Sequence, residues 1–251
     1  GAGSRFDYRV NFGNGGGKLF VQSNLGNVGA TTSQLINRSG AIPGTSLPLS
    51  LYLQGANTYT GGTSSEWAGV TVFDGANSVP ATGSLTAQGD ATMIGTSYLG
   101  YSNNVTGLTP ANFLAKFNKT GTWGIIGFDS SNPASPVAVS NLDLTGFNNG
   151  VFVGTSSAAI LSGTITPTSV TNGSNAANTL RLTAVNGGTL TVTSNLADIV
   201  PSTTPLSLVI GAPTYIPAFS AGTVVLAPAV GNTYTGGTTI TAAGDITLAL
   251  G

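Results

Sequence analysis

Chemistry in this chain would have to come from carboxylates and hydroxyls. None of the 251 residues is His or Cys, which removes the usual acid–base group near neutral pH, the commonest metal ligand, thiolate sites and disulfides. The acids are Asp7, Glu66, Asp74, Asp90, Asp129, Asp143, Asp198 and Asp245. Sugar cleavage needs two or three carboxylates converging on one groove, and lyases usually add Lys or Arg. Asp74 and Asp90 stand 16 residues apart and Asp129 and Asp143 stand 14 apart, spacings that fit adjacent turns of a repeating fold. Four of the eight acids, Asp74, Asp90, Asp129 and Asp245, sit in Asp-Gly, Gly-Asp or Asp-Ser contexts, where the side chain serves a turn. No basic residue lies near either pair in sequence. A serine nucleophile would lack its His. Gly13-Asn14-Gly15-Gly16-Gly17 lacks the Gly-Lys-Ser/Thr ending of a phosphate loop and reads as a turn into a strand at Lys18. There is no Asp-rich nonapeptide array for calcium, and Thr-rich runs such as Thr189 to Thr193 are too irregularly spaced for an ice-binding face. Trp67 and Trp123 are isolated, so burial or an edge contact fits them better than a sugar platform. The expectation is no catalytic, cofactor-binding or metal-ligating residue, and no enzyme; a polysaccharide-degrading enzyme stays as the remote alternative.

The elements that would position any site are those of a low-charge, repetitive protein. Hydrophobic residues make up 40% of the chain, enough for a packed interior, while charged residues make up 6% against about 25% in ordinary domains. Small neutral polar side chains fill the difference, and they suit a stack in which like residues sit on like. Net charge is -1, and the basic residues Arg5, Arg9, Lys18, Arg38, Lys116, Lys119 and Arg181 are dispersed, so nucleic acid is not an expected partner. No apolar run reaches the ~18 residues of a membrane helix. The chain opens GAGSRFDYRV without Met or an export-signal pattern, and reads as an interior piece of something longer.

Internal similarity is the strongest signal. Asn57-Thr58-Tyr59-Thr60-Gly61-Gly62-Thr63 recurs as Asn232-Thr233-Tyr234-Thr235-Gly236-Gly237-Thr238, 175 residues later. Gly16 to Leu19 with Ser23-Asn24-Leu25 matches Gly187 to Leu190 with Ser194-Asn195-Leu196 at an offset of 171, and Arg9 and Asn14 match Arg181 and Asn186 at 172. Pro48-Leu49-Ser50-Leu51 matches Pro205-Leu206-Ser207-Leu208 at 157. On that alignment the second copy carries 18 additional residues, near one turn of a stacked-strand solenoid, including Gly222-Thr223-Val224-Val225-Leu226.

Period-two runs predict strands over Lys18–Ser23, Leu49–Gln54, Val70–Phe73, Thr189–Ser194, Leu206–Ile210, Thr223–Ala227 and Ile246–Leu250. Alternate residues Leu19, Val21, Leu190, Val192, Leu206, Leu208, Ile246 and Leu248 should face the interior. A short helix near 110–119 is predicted from Thr109-Pro110, from Phe113, Leu114 and Phe117 on one face, and from Lys116 and Lys119 in the last turn. The fold expected is all-β, a right-handed parallel β-helix with that one helix in an irregular insert. Residues 1–95 hold the first repeat copy, 96–136 the insert, and 137–251 the solenoid continuing into the second copy.

The heptapeptide reads physically as a corner. Gly61-Gly62 and Gly236-Gly237 open backbone angles closed to other residues, Asn57 and Asn232 can bond the local backbone, and Tyr59 and Tyr234 offer a large body with a polar tip. Thr58, Thr60, Thr233 and Thr235 complete the two motifs, which are assigned a structural role. With its flanking strands, best over Thr189 to Gly251 and again over Asn57 to Leu85, NTYTGGT resembles the autotransporter-associated β-strand repeat. Two departures stand: Trp67-Ala68-Gly69-Val70 replaces the family's Gly-Gly-Thr-Leu strand in the first copy, and no translocating barrel lies in these residues.

The resemblance implies a parallel β-helix displayed outside a bacterial cell, and no reaction. The expected role is a structural stalk, filament or layer; the alternative is an adhesin whose insert loops bind glycans or other cells. Like copies or further repeats are the expected partners, with contacts at ends or sides.

Overall fold

The computed structural model describes residues 6–12, 17–39, 49–89, 96–169, 178–199, 205–211, 222–241 and 246–251. The first half runs β1 (Phe6–Phe12), β2 (Gly17–Val21), β3 (Ser33–Ser39), β4 (Leu49–Leu53), β5 (Thr63–Glu66), β6 (Val70–Phe73), β7 (Leu85–Ala87) and β8 (Tyr98–Ser102). Helix α1 (Pro110–Ala115) follows, then β9 (Ile125–Asp129), β10 (Val137–Asp143), β11 (Phe152–Thr155), β12 (Ala158–Thr166) and β13 (Thr179–Ala184). The chain ends through β14 (Thr189–Val192), β15 (Ser207–Ile210), β16 (Gly222–Leu226), β17 (Thr238–Ile240) and β18 (Ile246–Leu250).

Every pairing between these strands is parallel. They form a four-stranded sheet, β1-β3-β5-β7, a five-stranded sheet, β10-β12-β14-β16-β18, and a nine-stranded sheet, β17-β15-β13-β11-β9-β8-β6-β4-β2. Apart from β8 and β9, consecutive strands alternate between the nine-stranded sheet and one of the other two, so almost every partner is the next strand but one. Short connections between different sheets, rather than hairpins within one, are what keep the pairing parallel. The fold is therefore all-β with one short helix.

One continuous core contains residues of all three sheets, among them Leu35, Leu51, Phe73, Val139, Leu161, Leu182 and Val224. Of the residues expected inside, Leu190, Val192, Leu206 and Leu208 are buried, and Leu19, Val21 and Leu248 pack half-buried against the core. The Ile246 side chain lies outside the described residues. A second cluster, Val70, Val72, Tyr98, Ile125 and Phe152 with Tyr52 beside it, covers the other face of the nine-stranded sheet. That sheet is apolar on both sides along its middle, which is why β8, β9 and β11 are buried throughout.

The helix starts where expected and stops sooner. Thr109 is the N-cap, accepting a hydrogen bond from the Asn112 amide through its side chain, and Pro110 opens the first turn. The helix ends at Ala115, so Lys116 is its C-cap and Lys119 lies beyond it; neither is in the last turn. Phe117 leaves the helix because it makes a parallel bridge to Leu85, the Leu85 amide donating to the Lys116 carbonyl and the Asn118 amide to that of Leu85. Lys116 Nζ meanwhile binds the carbonyls of Pro80 and Ala81. The segment after α1 thus occupies a place beside β7, while β8 pairs directly with β9.

Hydrogen bonding realigns the two repeat copies. Leu35 of β3 is registered with Thr63, and Leu208 of β15 with Thr238, so β15 is the counterpart of β3. Leu19 pairs with Leu51 and Leu190 with Val224, so β16 is the counterpart of β4. The match of Leu49-Ser50-Leu51 to Leu206-Ser207-Leu208 is therefore not a structural equivalence, and Gly222–Leu226 is no added turn. Short apolar-polar-apolar strings are alike in sequence, and only ladder register tells them apart. The copies also change sheets: β2 and β4 belong to the nine-stranded sheet, whereas β14 and β16 belong to the five-stranded one.

Candidate functional site

The heptapeptides build the same corner twice. In the first, the Asn57 side-chain oxygen accepts from the Leu25 amide at 3.1 Å, and the Thr58 amide donates to the Leu25 carbonyl at 2.7 Å. In the second, Asn232 accepts from the Leu196 amide at 2.8 Å and the Thr233 amide donates to the Leu196 carbonyl at 2.8 Å. Gly61 donates to the carbonyl of Ser33, and Gly236 to that of Leu206. Tyr59 OH meets Thr63 Oγ1 at 2.6 Å, and Tyr234 OH meets Thr238 Oγ1. Gly62 and Gly237 take φ of 90° and 81°, the left-handed region that favours glycine. These residues hold backbone, which is a structural task.

A second constellation lies on the outer face of the nine-stranded sheet. Ladder register aligns Phe20, Tyr52, Val72, Gly100, Gly127 and Gly154 in one row. The three glycines of this row have no room for a side chain, Gly154 because of Thr183. A Cβ on Gly127 would fall 2.1 Å from Tyr98 Cζ, and one on Gly100 would fall 2.7 Å from Asp129 Oδ2. The absence of side chains lets the Tyr98 ring lie across the sheet and donate its hydroxyl to Asp129 Oδ2 at 2.6 Å. The neighbouring row is polar. Gln54 Nε2 donates to Asp74 Oδ2 at 2.9 Å, and Ser102 Oγ donates to Asp74 Oδ1 at 2.6 Å.

Asp129 is buried. Its Oδ1 accepts from the Ser156 amide at 2.7 Å, from Ser156 Oγ at 2.8 Å, and more weakly from Ser157 Oγ. Burial raises its pKa above the ordinary carboxylate value, and the bonds from Tyr98, Ser156 and Ser157 oppose that rise. Tyr52 is pushed up to about 12, first by burial and then by the Asp129 and Asp74 carboxylates. Around these groups opens a cavity of about 650 Å3, walled by Lys18, Phe20 and Tyr52 at one end. Its sides include Asp74, Ser102 and Asp129, the 130–136 segment, Ser156, Ser157 and the strand β14 residues Thr189 and Thr191. Phe20 is half exposed and stacks on Tyr52 with centroids 5.0 Å apart, while Lys18 Nζ sits 5.3 Å from the Tyr52 ring centre.

Of the two carboxylate pairs singled out by spacing, Asp129 and Asp143 are not brought together, since Asp129 lines the cavity and Asp143 does not. Asp74, Asp129 and Lys18 line the same cavity. Asp90 lies outside the described residues, as does Asp245. Asp143 is exposed, accepts from the Thr145 amide at 2.9 Å, and is held below the usual carboxylate range mainly by that residue's hydrogen bonds. Trp123 is half-buried beneath Gly150, whereas Trp67 is 52% exposed at a φ of 48°, with Arg38 over its ring. Gly13 to Gly16 lie outside the described residues, and Gly17 opens β2. Among the described residues no three acids cluster as metal ligands do. The Phe20–Tyr52 platform was the missed feature; its only trace in sequence is two aromatics at matching positions of two alternating strands.

Compared with protein-family models, curated proteins and solved structures, the chain matches none of them.

Proposed function

We propose that this chain is a structural module, a right-handed parallel β-helix forming a stalk, filament or layer of a large repetitive protein on the outer surface of a bacterium, with no reaction of its own. The observation that carries the reading is the repeated corner, in which the same seven residues make the same backbone bonds between parallel strands in both copies. A stack assembled from such corners grows by adding like units, each contacting only its neighbours. Alternation of strands between sheets around one core supports the helical winding. The NTYTGGT resemblance supports display outside the cell, and a net charge of -1 offers little long-range repulsion to like copies. Sedimentation velocity and electron microscopy of the 251-residue chain test it. Association into elongated particles as concentration rises is the expected result. A dispersed monomer at high concentration, without contacts between copies, overturns it.

A second reading, an adhesin for glycans, is favoured by one observation. The 96–136 insert supplies Ser102, Asp129, Ser130, Ser131, Pro133 and Pro136 to the cavity. A glycan array probed with the intact chain tests this reading, and an empty array rejects it.

A further inference from the structure

We infer that the cavity on the nine-stranded sheet is a binding groove for a neutral pyranose oligosaccharide, one ring of which packs against the Phe20–Tyr52 pair. The inference rests on the adhesin reading and names the ligand class. The size fits: about 650 Å3 falls within the range of small-ligand sites, roughly 300–1,000 Å3. The platform fits as well. Phe20 keeps 50% of its surface exposed while stacked on Tyr52, and both rings line the cavity, so apolar aromatic surface is offered to a ligand there. The C–H face of a pyranose is the ligand surface that matches such a ring, since it is apolar in the middle and bordered by hydroxyls.

Polar capacity follows the same pattern. An ionised carboxylate offers about four acceptor positions. Asp74 Oδ1 takes bonds from Ser102 and Asn104, while its Oδ2 takes one from Gln54. Among the described residues, Asp129 Oδ2 takes the Tyr98 hydroxyl alone. Asp74, half-buried in the cavity lining, therefore keeps acceptor capacity suited to sugar hydroxyl donors. Both carboxylates are also already held in place by several donors, which lowers the ordering entropy lost on binding. Neutrality follows from the charges: two carboxylates and one ammonium line the site, and the ammonium, Lys18, already lies over the Tyr52 ring. A uronate in the groove would face two like charges with one cation to offset them.

The test is calorimetric titration of the intact chain with neutral glucose tetramers, α-linked and β-linked, and with a glucuronate tetramer. Binding of a neutral tetramer is expected, weakened about tenfold or more by Phe20→Ala, a loss typical of one removed anchor. Thr191→Trp, a half-buried position on the cavity wall, should block the groove while leaving the platform intact. Circular dichroism and melting of both variants should match the parent chain, because neither position is fully buried. Tighter binding of the glucuronate tetramer overturns the neutral assignment and leaves the adhesin reading standing. Binding by the chain that neither substitution weakens overturns the groove. No binding of any tetramer overturns it too, and a positive glycan array beside that result would place adhesion elsewhere on the molecule.

Discussion

Asn57 to Thr63 and Asn232 to Thr238 are identical in sequence and make the same local bonds, yet they live in different surroundings. Tyr59 is fully buried; Tyr234 is half-buried against the same core. The first corner is covered from above: Asn57 Nδ2 donates to the Ser78 carbonyl at 2.7 Å, and the Thr63 amide donates to the Ser84 carbonyl at 2.9 Å. Among the described residues no such bond covers the second. The residue that braces each corner from below differs too. Asn27 Oδ1 accepts from the amides of Ser33 and Thr60, at 2.9 and 3.0 Å. Asp198 accepts from those of Leu206 and Thr235, at 2.8 and 3.0 Å, and from the Thr235 hydroxyl at 2.7 Å. The shape of the corner is thus a property of seven residues and their brace, and its burial is a property of what lies over it.

The largest expected contrast is at the tyrosines. Tyr59→Ala should destabilise by about 3–5 kcal/mol, as emptying a fully buried aromatic site does, and Tyr234→Ala by about 1–2 kcal/mol. Denaturant unfolding measures both, and equal losses would break the distinction. Next come the glycines. A Cβ on Gly62 would fall 2.4 Å from the Ser84 carbonyl oxygen, while one on Gly237 would meet nothing within 4 Å. Gly237→Ala should cost only the left-handed backbone penalty, about 1–2 kcal/mol, and Gly62→Ala about 1–3 kcal/mol more from the clash. Asn57→Ala strands two backbone partners, one of them buried, at about 1–3 kcal/mol, whereas Asn232→Ala should cost about 1 kcal/mol or less.

The smallest effect is a pH dependence in one corner alone. Hydrogen bonds from Thr235 and Leu206 hold Asp198 below its ordinary carboxylate value. A depressed folded pKa contributes stability above the unfolded value near 3.8, and that contribution is lost as pH falls through the folded value. Thermal melts from neutral to acid pH should show a loss that Asp198→Asn removes. Asn27→Asp should import the same acid sensitivity into the first corner, and a flat response there would mean that its extra cover masks the brace.

Strands with one wet face are legible in the amino-acid sequence. β2, β4, β14, β15, β16 and β18 fall on period-two runs, and so does β6 although it is buried throughout. β8, β9, β11 and β13 do not stand out, because strands buried on both faces show no alternation. The helix start is legible from Thr109-Pro110, but its end is not, since the pull of Phe117 toward Leu85 is a tertiary contact. Of the cavity, each residue type is visible in the sequence and the grouping is not: Asp74 and Asp129 meet only because β6, β8 and β9 are laid side by side.

By itself the sequence determined what is local: no His or Cys chemistry, alternating strands, a capped helix, and two identical corners whose glycines and asparagines select their own backbone. Tertiary structure decided which strands are counterparts, that the second copy stands one sheet away from the first, which tyrosine is covered, and that an aromatic platform and two carboxylates share a groove. The physical reason is register. A parallel ladder joins residues tens of positions apart through connections of uneven length, so what meets across it is chosen by hydrogen-bond pairing between strands rather than by spacing along the chain.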